Sequence, residues 1–157
     1  MKWFLIAVLI AVIMIIAYSI SEQYKDKFDF YNNLKSFLNQ FKINLSFKQD
    51  KIINFLNNLK PKKQFKLFIN SYKNYLNTDK IDLSEIKILD IEEKTELENI
   101  IKNIGKFDAK NEINQIDNFL CNINNKLITA ENDKNKVCPM ILKLSLLFAI
   151  GLAIILI

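Results

Sequence analysis

Segments that are apolar on every side sit at the two ends of this chain, and segments that are apolar on one face lie between them. From Trp3 to Ile20 the run WFLIAVLIAVIMIIAYSI carries no charge over 18 residues. That is about 27 Å as an α-helix, close to the thickness of a bilayer's hydrocarbon core. From Met140 to Ile157 the run MILKLSLLFAIGLAIILI is equally long. Only Lys143 interrupts it, and its aliphatic stem can carry the charge to a nearby interface. Pro139 stands where a helix start or a bend accepts it. Between the runs, apolar positions recur at steps of three and four. Tyr31, Leu34, Leu38, Phe41 and Leu45, widened by Phe30 and Phe37, predict one helical face over residues 22–45. Ile113, Ile116, Leu120, Ile123, Leu127 and Ala130 predict a heptad-like seam on a long helix over 109–138.

Shorter pieces fill the middle. Asp50 reads as an N-cap for Ile52, Leu56 and Leu59, with a stop near Pro61. Phe65, Phe68, Tyr72 and Tyr75 mark the next helix. Glu92, Glu93 and Glu96 favour a helix start around residue 91, with Leu97, Ile100, Ile101 and Ile104 as its buried face. Gly105 then closes that helix as a C′ residue, and Asp108 opens the last one as an N-cap. From Asn77 to Leu89, Ile81, Leu83, Ile86 and Ile88 suit a short strand as well as a helical turn, and we read a turn plus a short helix. The predicted fold is all-α: an antiparallel multi-helix bundle flanked by transmembrane helices, with anchors at 1–20 and 139–157 around a bundle at 21–138.

A span at each end returns the chain to its starting side, so residues 21–138 are expected on one face of the membrane. A secretory signal is the alternative for the first run, with Lys2 as its charged region and Ala17-Tyr18-Ser19 as a cleavage site. The single leading Lys and the long apolar stretch favour an uncleaved anchor. Lys25, Lys27 and Lys35 follow the first span and Lys126, Lys134 and Lys136 precede the second, against Lys2 alone on the other side. The positive-inside bias therefore predicts a two-span protein of the cell membrane with a cytoplasmic domain. Cys121 and Cys138, about 25 Å apart on one helix, are too far apart to pair, and two free thiols suit a reducing compartment.

Composition narrows the chemistry. The chain has no His, which removes Ser-His and Cys-His nucleophile pairs and two-His metal sites. Gly105 is the only glycine outside the terminal runs, so no phosphate-cradling or dinucleotide loop can be written. Glu92, Glu93, Glu96 and Glu98 read as helix-capping charge rather than a metal site. No catalytic residue, cofactor or metal is expected. Residues 21–138 carry a net charge of +3 and no Arg, too weak a phosphate footprint for a nucleic-acid partner. Lys25, Lys27, Lys134 and Lys136 sit within a few turns of a span and can meet anionic headgroups at about 1 kcal/mol each. Lys60-Pro61-Lys62-Lys63 with Lys66 can meet lipid, nucleic acid or an acidic partner, or line a solvated loop. Phe37, Phe41, Phe47, Phe55, Phe65, Phe68, Tyr72 and Tyr75 read as core, with a partner groove as the alternative.

Ile104-Gly105-Lys106-Phe107-Asp108, a long amphipathic helix with Ile116 on its face, and the apolar C-terminal span together resemble the stage III sporulation AB family. The similarity is best over residues 97–157. It extends more loosely to the first span and to Asn44-Leu45-Ser46-Phe47 followed by Asp50-Lys51-Ile52. Glu112 stands where that family prefers Gln, Lys25 and Lys27 replace its arginines, and its middle helix is shortened to Lys80–Leu89. The resemblance implies a cytosolic antiparallel bundle similar to the platform subunit of type II secretion. It further implies a structural component of the channel assembly between mother cell and forespore, with other subunits of that assembly, an ATPase among them, as partners, and no catalysis. A two-anchor tether or a phage or envelope protein unrelated to sporulation is the alternative.

Overall fold

The computed structural model describes residues 2–47, 52–104 and 109–156. Among these the chain is all-α, with no strand. Helix α1 spans Lys2–Phe47, α2 Ile52–Asn58, α3 Lys63–Thr78, α4 Ile91–Asn103, α5 Ala109–Asn132 and α6 Cys138–Leu156. The first apolar run and the first predicted face are one unbroken helix, because no Gly or Pro occurs between residues 2 and 47 to interrupt it. Packing divides the chain into two units, Met1–Phe28 with Ile128–Ile157, and Asp29–Leu127. Helices α1 and α5 contribute to both.

The 29–127 unit is built around aromatic rings. Phe30, Tyr31, Leu34, Phe37, Leu38 and Phe41 of α1 are buried, as are Leu56 of α2 and Phe65, Phe68, Ile69 and Tyr72 of α3. The Phe37 ring lies 5.8 Å from Phe55, 6.2 Å from Phe65, 6.1 Å from Phe68 and 6.4 Å from Tyr72. Phe30 meets Phe65 and Phe68 edge-on, the arrangement that the charge distribution of an aromatic ring favours. Leu97, Ile100 and Ile101 of α4 and Ile116, Leu120 and Ile123 of α5 complete the core.

Contacts along the helices give their directions. Phe30 meets Phe65 and Phe68, and Phe37, two turns on, meets Phe68 and Tyr72, so α3 advances with α1. Glu93 near the start of α4 faces Tyr31, and Ile104 at its end accepts a hydrogen bond from the Tyr72 hydroxyl at 3.2 Å, so α4 advances with them. Helix α5 runs antiparallel to α4. Lys126 pairs with Glu96 at 2.9 Å, while Phe119 and Ile123 border the same groove as Ile100. Lys42 of α1 donates to both carboxylate oxygens of Asp117 of α5.

Since α3 and α4 run the same way, the connection between them must cross back along the bundle, a distance an extended segment of 12 residues covers at about 3.3 Å per residue. This is why the short helix expected before Leu89 and the helix Lys80–Leu89 implied by the resemblance are absent: Ile81–Asp90 forms turns instead. Leu83, Ile86 and Leu89 are buried in it. Ser71 Oγ accepts from the Asp82 amide at 3.2 Å, and Asp82 Oδ1 accepts from the Ser84 amide at 2.9 Å. The Ser84 hydroxyl first, and then this amide bond, hold the exposed Asp82 carboxyl below its ordinary range. Helix α4 then opens with a capping box. Asp90 Oδ1 accepts from the Glu93 amide at 2.8 Å and Glu93 Oε2 from the Asp90 amide at 3.0 Å.

In the other unit the sizes are reversed. Among the described residues its buried positions are Ala17, Ser21, Ala130, Cys138 and Ala149, with Ile6 the one large side chain. Trp3, Phe4, Ile15, Leu147, Phe148 and Ile155 are exposed. The Cys138 thiol donates to the Ser21 carbonyl at 3.4 Å, and Lys134 Nζ lies 4.0 Å from the centroid of the Phe28 ring. As α1 advances from 21 to 28 its partner retreats from 138 to 134, an antiparallel pair. The helix predicted to run unbroken to residue 138 ends as α-helix at Asn132 and passes through a π-helical turn, Asp133–Val137, before α6. The Cys138 amide donates to the Asp133 carbonyl. Pro139 follows, and the wider turn answers its missing N–H and the clash of its ring with the carbonyl four residues back.

Candidate functional site

Three of the four lysines expected to meet the membrane have partners within the protein. Lys25 pairs with Glu22 at 3.8 Å and lies 5.5 Å from the centroid of the Tyr18 ring. Lys134 sits over Phe28. Lys27 is half-buried and also engaged. Lys136 is exposed. A ring face holds an ammonium without neutralising it, whereas Glu22 offsets part of the Lys25 charge. Lys25 and Lys134 thus differ in how much charge they present outward, a distinction that needs the positions of Glu22, Tyr18 and Phe28 on the helix surface.

Of the predicted seam positions, Tyr31, Leu34, Leu38, Phe41, Ile116, Leu120 and Ile123 are buried, while Leu45, Ile113 and Leu127 are half-buried. Gly105 and Asp108, the predicted turn and cap, lie outside the described residues, as does Asp50. Nothing is described of the Phe47 side chain. The other aromatic candidates are buried except Phe55 and Tyr75, which are half-buried.

Three acidic residues of α4 are engaged, Glu93 in the capping box, Glu96 with Lys126 of α5 and Glu98 with Lys102 at 3.2 Å, and Glu92 is exposed. Among the described residues no group of three or more His, Cys, Asp or Glu side chains is placed to hold a metal. Glu112 is buried and partnered. Burial raises the Tyr72 phenol above its ordinary value, and the Glu112 charge adds to that. Both cysteines are free, Cys121 exposed and Cys138 buried.

A groove of about 290 Å³ opens where α1 meets the α2–α3 turn. Asn33, Ser36 and Gln40 line it from α1, Asn58 from the end of α2, Lys60 and Pro61 from the turn, and the rings of Phe37 and Phe65 border it. Sequence reasoning picked out the lysine run beside it but not the groove. The amide-rich wall on α1 belongs to the polar side of a helix whose other side was read as core.

Among the described residues two helices are long and apolar enough to cross a membrane. Only 17% and 11% of their most apolar windows are buried, unlike the core helix of a soluble protein. Together with the aromatic-cored unit these define a helical protein with two membrane-length segments. The model of the stage III sporulation protein AB family matches residues 2–157. The chain belongs to this family and is a sporulation protein. No curated protein and no solved structure matches it.

Proposed function

We propose that this chain is a membrane-anchored, non-catalytic structural component of the channel assembly between mother cell and forespore. Its helical segment 21–138 lies in the cytoplasm and docks other subunits, an ATPase among them. The observation that carries the reading is the joining, in one chain of a sporulation family, of a unit with its large apolar side chains outward to a unit with its aromatic side chains inward. The first is suited to lipid and the second to holding a fixed surface in water. Lys134 and Lys136, with Lys25 and Lys27, set the protein against anionic headgroups.

Deleting the gene in the sporulating host should block development after engulfment, and a copy lacking either apolar run should fail to restore it. Full sporulation of the deletion strain would sink the assembly role. Orientation is read from the exposed Cys121. A membrane-impermeant maleimide should leave it unlabelled in intact cells and label it after permeabilisation. Labelling of intact cells would place the helical segment outside.

A further inference from the structure

From Lys51 to Thr78 the sequence contains six lysines and no Asp or Glu. This stretch of 28 residues therefore carries more positive charge than the net +5 of the whole chain. Its residues 52–78 form α2, the turn after it and α3. Lys63 reaches Asp29 at 4.0 Å. Lys60, Lys62 and Lys66 are exposed, and no carboxylate of the described residues pairs with them. The N-cap residue Lys62 makes no side-chain cap bond, so the partial positive charge of the α3 N-terminus adds to theirs.

The amide-lined groove lies against these lysines, with Lys60 in its wall. Asn33 and Gln40 each donate one amide hydrogen within α1, to the Asp29 carbonyl at 2.7 Å and to Ser36 Oγ at 3.0 Å, and their second amide hydrogens and carbonyl oxygens, with the Asn58 amide, suit the alternating N–H and C=O groups of a peptide; phosphate oxygens of a lipid surface are acceptors only. We infer that this face docks an acidic segment of a partner protein, its backbone along the groove and its carboxylates on Lys60, Lys62 and Lys66. The inference deepens the docking reading above and rests on it.

The test uses the full chain in phosphatidylcholine nanodiscs and a fluorescein-labelled peptide of alternating Glu and Ala, with affinity read by anisotropy. Combined Lys60→Glu, Lys62→Glu and Lys66→Glu should weaken binding about tenfold or more, and binding to the unaltered protein should fall as salt rises. Lys80→Glu, Lys87→Glu and Lys110→Glu, an equal change of net charge at exposed positions elsewhere, should leave it unchanged. Asn33→Ala with Asn58→Ala should weaken it several-fold without altering the salt dependence. Equal loss in both triple variants, or none in the first, overturns the surface. So does a first variant that loses co-flotation with phosphatidylglycerol vesicles while keeping its peptide affinity, an outcome that would make this face a lipid contact. If deletion blocks sporulation but the first triple variant restores it fully, the surface fails and the docking reading stands.

Discussion

The two packing units solve opposite problems with the same element. In the 29–127 unit the rings of Phe30, Phe37, Phe65, Phe68 and Tyr72 are buried; in the other unit Trp3, Phe4, Phe148 and Ile155 face out and Ala17, Ser21 and Ala149 are enclosed. Water rewards removal of large apolar surface, so the first unit places its bulk inside. Hydrocarbon gives no such reward, and helices pair there where small side chains let their backbones approach. Residue size at the buried positions, more than hydrophobicity, separates the two.

That contrast makes the effect of a substitution depend on its sign, and the largest effects belong to the aromatic core. Phe37→Ala should cost about 3–5 kcal/mol and Leu38→Ala about 2–5 kcal/mol, seen as a lower thermal midpoint of near-ultraviolet circular dichroism in the nanodisc-held chain. Tolerance of both would break the core assignment. In the other unit the direction inverts. Ala149→Leu adds volume where the alanine is fully buried and should cost about 1–3 kcal/mol, whereas Phe148→Ala, at a side chain 62% exposed, should leave the midpoint unchanged. The accessibility of Cys138 to a small thiol reagent reports this pairing, since its thiol meets Ser21 across it.

Smaller effects sharpen the picture. Tyr72→Phe removes the hydrogen bond to Ile104 and should cost about 1 kcal/mol at neutral pH. Its main signature lies in alkali. Because burial raises the folded phenol above its ordinary value of 10.0, the associated stability is complete below that pH. It is lost as pH rises further, because the unfolded chain ionises first. Tyr72→Phe should therefore lose less stability between pH 9 and about 11 than the unaltered chain, and an identical pH dependence would show that the phenol is not held neutral. Smallest of all, Gly151→Ala should be neutral, since a methyl group there meets nothing within 4 Å. A clear loss would mean that Gly151, like Ala149, serves close approach.

Sequence periodicity located the core face of α1 and the seam of α5 because steps of three and four follow directly from helix geometry. It failed from Ile81 to Asp90, where apolar residues mark a buried crossover. Spacing alone cannot separate a backbone that packs irregularly from one that packs as a helical turn. Asp90 was readable and overlooked: Asp90-Ile91-Glu92-Glu93 has the spacing of the capping box that forms. The partners of Lys25 and Lys134 needed coordinates, since Glu22, Tyr18 and Phe28 become neighbours only through rotamers and the antiparallel pairing. The groove beside Lys60 needed them too, as it joins residues on α1 to a turn more than 15 positions away.

The π-helical turn before α6 has a rotational consequence. An α-helix advances about 100° per residue, so Ala130 and Phe148, eighteen residues and five turns apart, would point the same way on a regular helix. The wide turn takes up one extra residue, and the direction of Ala130 passes instead to Cys138 and Ala149, which are buried, while Phe148 swings out. Inserting one alanine after Met140, with the wide turn intact, should rotate the rest of α6 by about 100°, carrying Phe148 into the buried direction in place of Ala149. The hydropathy of the chain would barely change, yet its two apolar helices would no longer fit.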